Sequence, residues 1–104
     1  MKMIDLQEFN RFGGDKPFRE LLFDSPNLRV LTFNFEPGQE MPVHSHPGDS
    51  EVALLVLEGA GVFTGGSQDL PARTGMLQVM PVSEPHGLKA VTRLRLLVFI
   101  APTL

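Results

Sequence analysis

Gly38-Gln39-Glu40-Met41-Pro42-Val43-His44-Ser45-His46-Pro47-Gly48-Asp49-Ser50-Glu51 runs into the apolar stretch Val52–Leu57 and closes on Glu58-Gly59. In extended backbone, residues two apart point to the same face, so the imidazoles of His44 and His46 project side by side. Pro42 precedes them on that face, while Val43 and Ser45 point away. Protonated neighbours repel, whereas neutral rings offer lone pairs, so the pair suits a divalent cation better than it suits itself. Asp49 and Glu51 follow the Pro47-Gly48 turn. The one remaining histidine is His86, in Pro85-His86-Gly87. Three imidazole nitrogens and one carboxylate make a ligand set for Fe, Mn, Ni, Co, Zn or Cu.

Outward from this stretch, ten glycines and nine prolines punctuate the chain at short intervals. The apolar runs between them predict short strands in an all-β barrel or sandwich. Arg29–Glu36 alternates, with Leu31, Phe33 and Phe35 on one face and Val30, Thr32 and Asn34 on the other. Leu94–Ile100 sets Leu94, Leu96, Val98 and Ile100 against Arg95, Leu97 and Phe99. Val52–Leu57 is apolar on both faces and needs cover on both. A partner subunit or the N-terminal segment Ile4–Phe12 would supply the second cover. Glycines at 59, 61, 65 and 66 flank Val62-Phe63-Thr64 and predict hairpin turns around a short strand. The sole helical candidate is Asp5–Arg11, with Asp5 as N-cap. Arg93 and Arg95 read as solvated strand-face charges.

The 104 residues amount to one domain. A chain of this size buries roughly 65% of its unfolded surface, enough for one core without staples. Nine basic and twelve acidic residues leave a net charge of −3. That speaks against nucleic-acid binding, which needs a basic patch. The absence of cysteine excludes disulfides, thiolate metal sites and a cysteine nucleophile, and the absence of tyrosine excludes phenolic acid–base chemistry. No run has the length of a membrane span or the character of a signal peptide, so a cytoplasmic location is expected.

The arrangement of glycines and histidines resembles the cupin superfamily of small β-barrels. Its first motif is a glycine, five residues, His-x-His, three or four residues, Glu, six residues and a glycine. Here it reads Gly38, His44-Ser45-His46, Glu51 and Gly59. The second motif reads Gly75, Pro81-Val82-Ser83 and His86, with Ser83 where the family has glycine and Ala90 where it has Asn. The resemblance implies a single cupin domain over residues 1–104, an all-β double-stranded β-helix (jelly-roll), with residues 1–16 as an extension packing on the barrel or on a dimer partner. It further implies one divalent transition metal per chain, held inside the barrel by His44, His46, Glu51 and His86.

One departure bears on that set. Seven residues, Val52 to Glu58, separate Glu51 from Gly59, where the family has six. Standard register back from Gly59 puts Val52 at the ligand position. Glu51 reaches it only if a β-bulge absorbs the extra residue. Asp49 is the alternative carboxylate, and three histidines with water are a third arrangement. Phe33, Phe35, Met41, Met76, Gln78, Met80 and Phe99 are candidates to line the cavity, with core packing as the plain alternative, and Gln78 would need polar partners if buried. Glu84 is a candidate to orient His86.

The expected function is a metal-dependent enzyme on a small organic substrate, of oxygenase or isomerase type, with Glu51 as a base if it is not a ligand. A non-catalytic small-molecule binder, or a sensory cupin acting with a partner protein, is the alternative. A symmetric homodimer is expected, with neither nucleic acid nor membrane as partner.

Overall fold

The computed structural model describes residues 1–104. Nine strands follow a short N-terminal turn: β1 (Phe18–Asp24), β2 (Arg29–Phe35), β3 (Glu40–His44), β4 (Glu51–Glu58), β5 (Ala60–Thr64), β6 (Leu70–Arg73), β7 (Leu77–Pro81), β8 (His86–Ala90) and β9 (Leu94–Ala101). They form two antiparallel sheets, ordered β1-β2-β9-β4-β7 and β3-β8-β5-β6. This is the all-β architecture that the turn spacing predicted, in the jelly-roll form that the cupin resemblance implied.

Period-two alternation builds the core. Leu31 and Phe35 of β2, Val52, Leu54 and Val56 of β4, and Leu94, Leu96 and Val98 of β9 share one cluster with Phe63, Ala72, Leu88 and Ala90 of the smaller sheet. Each fully buried Leu, Val or Phe of this kind contributes about 1.5–3 kcal/mol. Between β4 and β5 the chain passes from one sheet to the other through Gly59, whose φ is +102° and whose Cβ, if present, would collide with the Arg93 carbonyl. Only glycine meets both conditions.

The helix expected over Asp5–Arg11 is a single 3-10 turn, Leu6–Phe9. Its cap is as expected: an Asp5 carboxylate oxygen accepts from the Gln7 N–H at 3.0 Å. So short a segment gains little from helical hydrogen bonds, and tertiary contacts decide its course. Asn34 Nδ2 donates to the carbonyls of Phe9 and Arg11 at 2.7 and 2.8 Å. Arg95 donates to the Leu6 carbonyl at 2.6 Å. Arg95 is therefore not a solvated charge. It is 4% exposed, covered by the N-terminal segment, and reaches Glu58 at 3.7 Å. Arg93 does lie at the surface, paired with Glu36 at 2.5 Å and stacked on Phe12.

The N-terminal segment crosses the outer face of the larger sheet at Asn34 and Arg95 and runs beside Glu20, Leu21 and Leu22 of β1. Ala53 and Leu55 of β4 remain half-buried, and their β7 neighbours Leu77 and Val79 are 59% and 57% exposed. No helix is long and apolar enough to cross a membrane.

Candidate metal and ligand site

The two edge strands β1 and β3 belong to different sheets, and a cavity opens beside them. It measures about 470 Å³, and its wall is mostly apolar, from Leu31, Phe33, Met41, Val52, Leu54, Val82, Val98, Ile100 and Leu104. All three histidines line it.

β3 and β8 pair with His44 directly opposite His86, after a bulge between Met41 and His44. The close approach depends on Gly87, where a Cβ would stand 2.7 Å from Thr64 Oγ1 and 2.8 Å from the Met41 carbonyl oxygen. His46 lies just past the end of β3. Its N–H donates to the Val82 carbonyl at 2.8 Å, which ties it to the turn that carries His86. The ring centroids of His44 and His86 are 4.4 Å apart, those of His44 and His46 5.1 Å, and those of His46 and His86 6.4 Å.

Hydrogen bonding sets the tautomer of two rings. His44 Nδ1 lies 2.8 Å from the Pro42 carbonyl, and His86 Nδ1 lies 2.7 Å from the Glu84 carbonyl. A carbonyl oxygen only accepts, so each Nδ1 carries the proton and each Nε2 keeps its lone pair. Glu84 thus orients His86 as expected, but with its main chain in place of its carboxylate. His86 is 3% exposed. Burial pushes its imidazole below the ordinary histidine value; the bond to the Glu84 carbonyl opposes this, and repulsion from His44 and His46 adds to it.

Neither candidate carboxylate joins the histidines. β4 alternates strictly from Glu51 to Val56, with Val52 and Leu54 on the cavity wall and Glu51 exposed opposite Ala101 and Pro81. The strand does contain a bulge, but it falls at Leu57, between Val56 and Glu58. It turns Glu58 toward Arg95 and leaves the inward position at Val52. Asp49 is exposed in the loop before β4. As placed, no three His, Asp or Glu side chains meet at a single point. Of the three rings His46 alone makes no hydrogen bond to the protein, and it lies farther from His86 than His44 does.

The expected lining residues divide. Phe33 and Met41 line the cavity. Phe35 is fully buried in the core below it. Gln78 and Met80 face inward but line a separate cleft of about 150 Å³ beside β5 and β6, where Gln78 Oε1 is buried without a hydrogen-bond partner. Met76 lines neither space. Phe99 pairs with Ala53 and Val30 and belongs to the outer face. Two arginines escaped the sequence reading: Arg19 and Arg29 both line the cavity. Arg29 carried a usable signal, since it lies two residues before inward-facing Leu31.

The cupin domain family model matches residues 31–100. An RmlC-like cupin protein from Desulfovibrio desulfuricans is 44% identical over 100% of this chain and 99% of its own, with a TM-score of 0.94. The protein TT1209 from Thermus thermophilus is 30% identical over 98% of each chain, with a TM-score of 0.87. KdgF from a Halomonas species shares the fold at 20% identity over 83% of this chain and 80% of its own, with a TM-score of 0.76. No curated protein matches. A family match over most of the chain, two sheets in jelly-roll order and histidines facing into the barrel lead to one assignment: the chain is a member of the cupin family.

Proposed function

We propose that this cupin binds one divalent transition metal through His44, His46 and His86, and a small organic substrate in the adjoining cavity, as a metal-dependent enzyme of oxygenase type. The observation that carries the reading is the paired tautomer: Nδ1 of His44 and of His86 each donates to a backbone carbonyl, leaving both Nε2 lone pairs for a ligand. Metal-binding histidines are held in this way by partners on their other nitrogen. The donor chemistry fits a three-nitrogen set suited to Fe, Mn, Ni, Co, Zn or Cu. It does not fit a fourth ligand from Glu51, because Val52 stands at the inward position.

When bound, the metal would supply Lewis acidity or one-electron chemistry. The chain's own contribution is to bind and orient. Leu54, Val98 and Ile100 exclude water from one side of the substrate, and Phe33 and Met41 flank it from β2 and β3. The lining holds no Asp, Glu, Lys, Tyr or Cys. With the imidazoles on the metal, nothing remains to abstract a proton, which favours oxygenase over isomerase chemistry. Glu51 on the outer face is withdrawn as a base.

The test is metal content by plasma mass spectrometry on tag-free protein, with His44→Ala and His86→Ala alongside. Concentration must come from amino-acid analysis, since the chain has neither Trp nor Tyr. About one equivalent in the wild type, lost in both variants, supports the reading. Metal without oxygen consumption on any small-molecule substrate would move it to the non-catalytic binder. No metal after reconstitution would end it. On the same footing we place a second copy of the chain over the apolar outer face of β4 and β7, as a homodimer.

A further inference from the structure

We propose that the ligand of this cavity is a small monocarboxylate with an apolar body, and that Arg19 is its anchor. The proposal rests on the cavity being the ligand site and adds the substrate class. Arg19 sits on edge strand β1, opposite Phe33 of β2, and its guanidinium lies 5.8 Å from the centre of the Phe33 ring. Arg19 is exposed, so the contact places its guanidinium at the solvent-facing mouth of the cavity.

Three of the other arginines are paired with carboxylates. Arg29 pairs with Asp24, Arg93 with Glu36 and Arg95 with Glu58. Arg19 lines the cavity with no carboxylate within ion-pairing distance and no hydrogen bond to the protein. Arg29 is already neutralised by Asp24, so the unpaired positive charge of the lining is that of Arg19, and the lining itself holds no acid. A cleft of one sign with low-dielectric walls attracts the opposite charge. A guanidinium presents a planar fork of donors that matches a carboxylate. Beyond the arginines and imidazoles the wall is apolar, so the rest of the ligand is apolar too, and about 470 Å³ fits a molecule of roughly drug-fragment size.

The experiment is calorimetric titration of the protein with phenylacetate and with its neutral isostere phenylacetamide, before and after chelator treatment. Wild type is expected to bind phenylacetate about tenfold more tightly than the amide, in both states. Arg19→Gln is expected to reduce that preference to less than about threefold, the acid losing more affinity than the amide, while the thermal midpoint confirms folding. Arg19→Lys keeps the charge without the fork and should retain an intermediate preference. Equal binding of acid and amide by wild type would overturn the proposal and leave the cavity as a ligand site. A preference that survives Arg19→Gln would also overturn it, as would one that chelation abolishes, which would assign the carboxylate to the metal. Binding of neither probe, with or without metal, would overturn the cavity reading together with this one.

Discussion

His44 and His86 face each other across the β3–β8 ladder with rings 4.4 Å apart, and each ties its Nδ1 to the carbonyl two residues before it. The same short-range wiring on two antiparallel strands leaves two Nε2 lone pairs free on neighbouring rings that line one cavity. Local hydrogen bonds set each ring; the ladder brings the rings together.

Val52 holds the inward position on β4 from which a fourth ligand would reach the proposed metal, while Glu51 points to solvent. Glu51→Gln should therefore leave metal affinity unchanged within about twofold. Val52→Glu should raise it about tenfold or more by adding a carboxylate to the set. Without metal, the same variant should lose about 2–4 kcal/mol, since it buries an unpaired acid. Metal titration and urea unfolding read the two effects. Loss of affinity in Glu51→Gln would return that residue to the site.

The buried imidazole of His86 makes metal-free stability depend on pH. Its folded-state affinity for a proton lies below that of the unfolded chain, about 6.5, so below that pH the unfolded state binds more protons. Stability should be greatest above pH 6.5 and fall on acidification from there down to the depressed folded value. Calorimetric midpoints of chelator-treated protein at pH 7.5, 6.5 and 5.5 should fall in that order. In His86→Gln the fall should shrink; an unchanged slope would place the titration elsewhere.

Asn34 and Arg95 are cross-strand neighbours on β2 and β9, and together they hold the N-terminal segment at Leu6, Phe9 and Arg11. Asn34→Ala removes two hydrogen bonds and leaves two carbonyls to find water. A loss of about 1–3 kcal/mol is expected, with faster amide exchange confined to residues 6–12 and their neighbours. Uniformly faster exchange throughout the barrel would show that the strap is part of the global folding unit.

Leu77 and Val79 expose their side chains beside Ala53 and Leu55. A contiguous apolar face of this kind marks an interaction surface. Sedimentation velocity should report a dimer for the wild type and a monomer for the double variant Leu77→Lys, Val79→Lys, with little change in unfolding of the monomer itself. A monomeric wild type at micromolar concentration would remove the second copy from the outer face.

Much of this was legible in the sequence because it is local. Alternation sorts the side chains of β2 and β9 into two faces, since a strand's side chains change sides at every residue, whereas β4 is apolar on both. Gly38, Gly59 and Gly75 mark turns of positive φ, and His44-Ser45-His46 with His86 names the imidazoles before any coordinate is known. What pairing decides was not legible. Whether Glu51 or Val52 faces the histidines depends on where the β4 bulge falls against β9, and it falls at Leu57, between Val56 and Glu58. Arg95 reads as a surface charge until a segment far away in sequence crosses over it. Arg19 reads as nothing at all until β1 pairs with β2 and lays it on Phe33 beside the cavity. Residue type and period fix faces, but only long-range pairing fixes which faces meet, because register is a competition among whole strands.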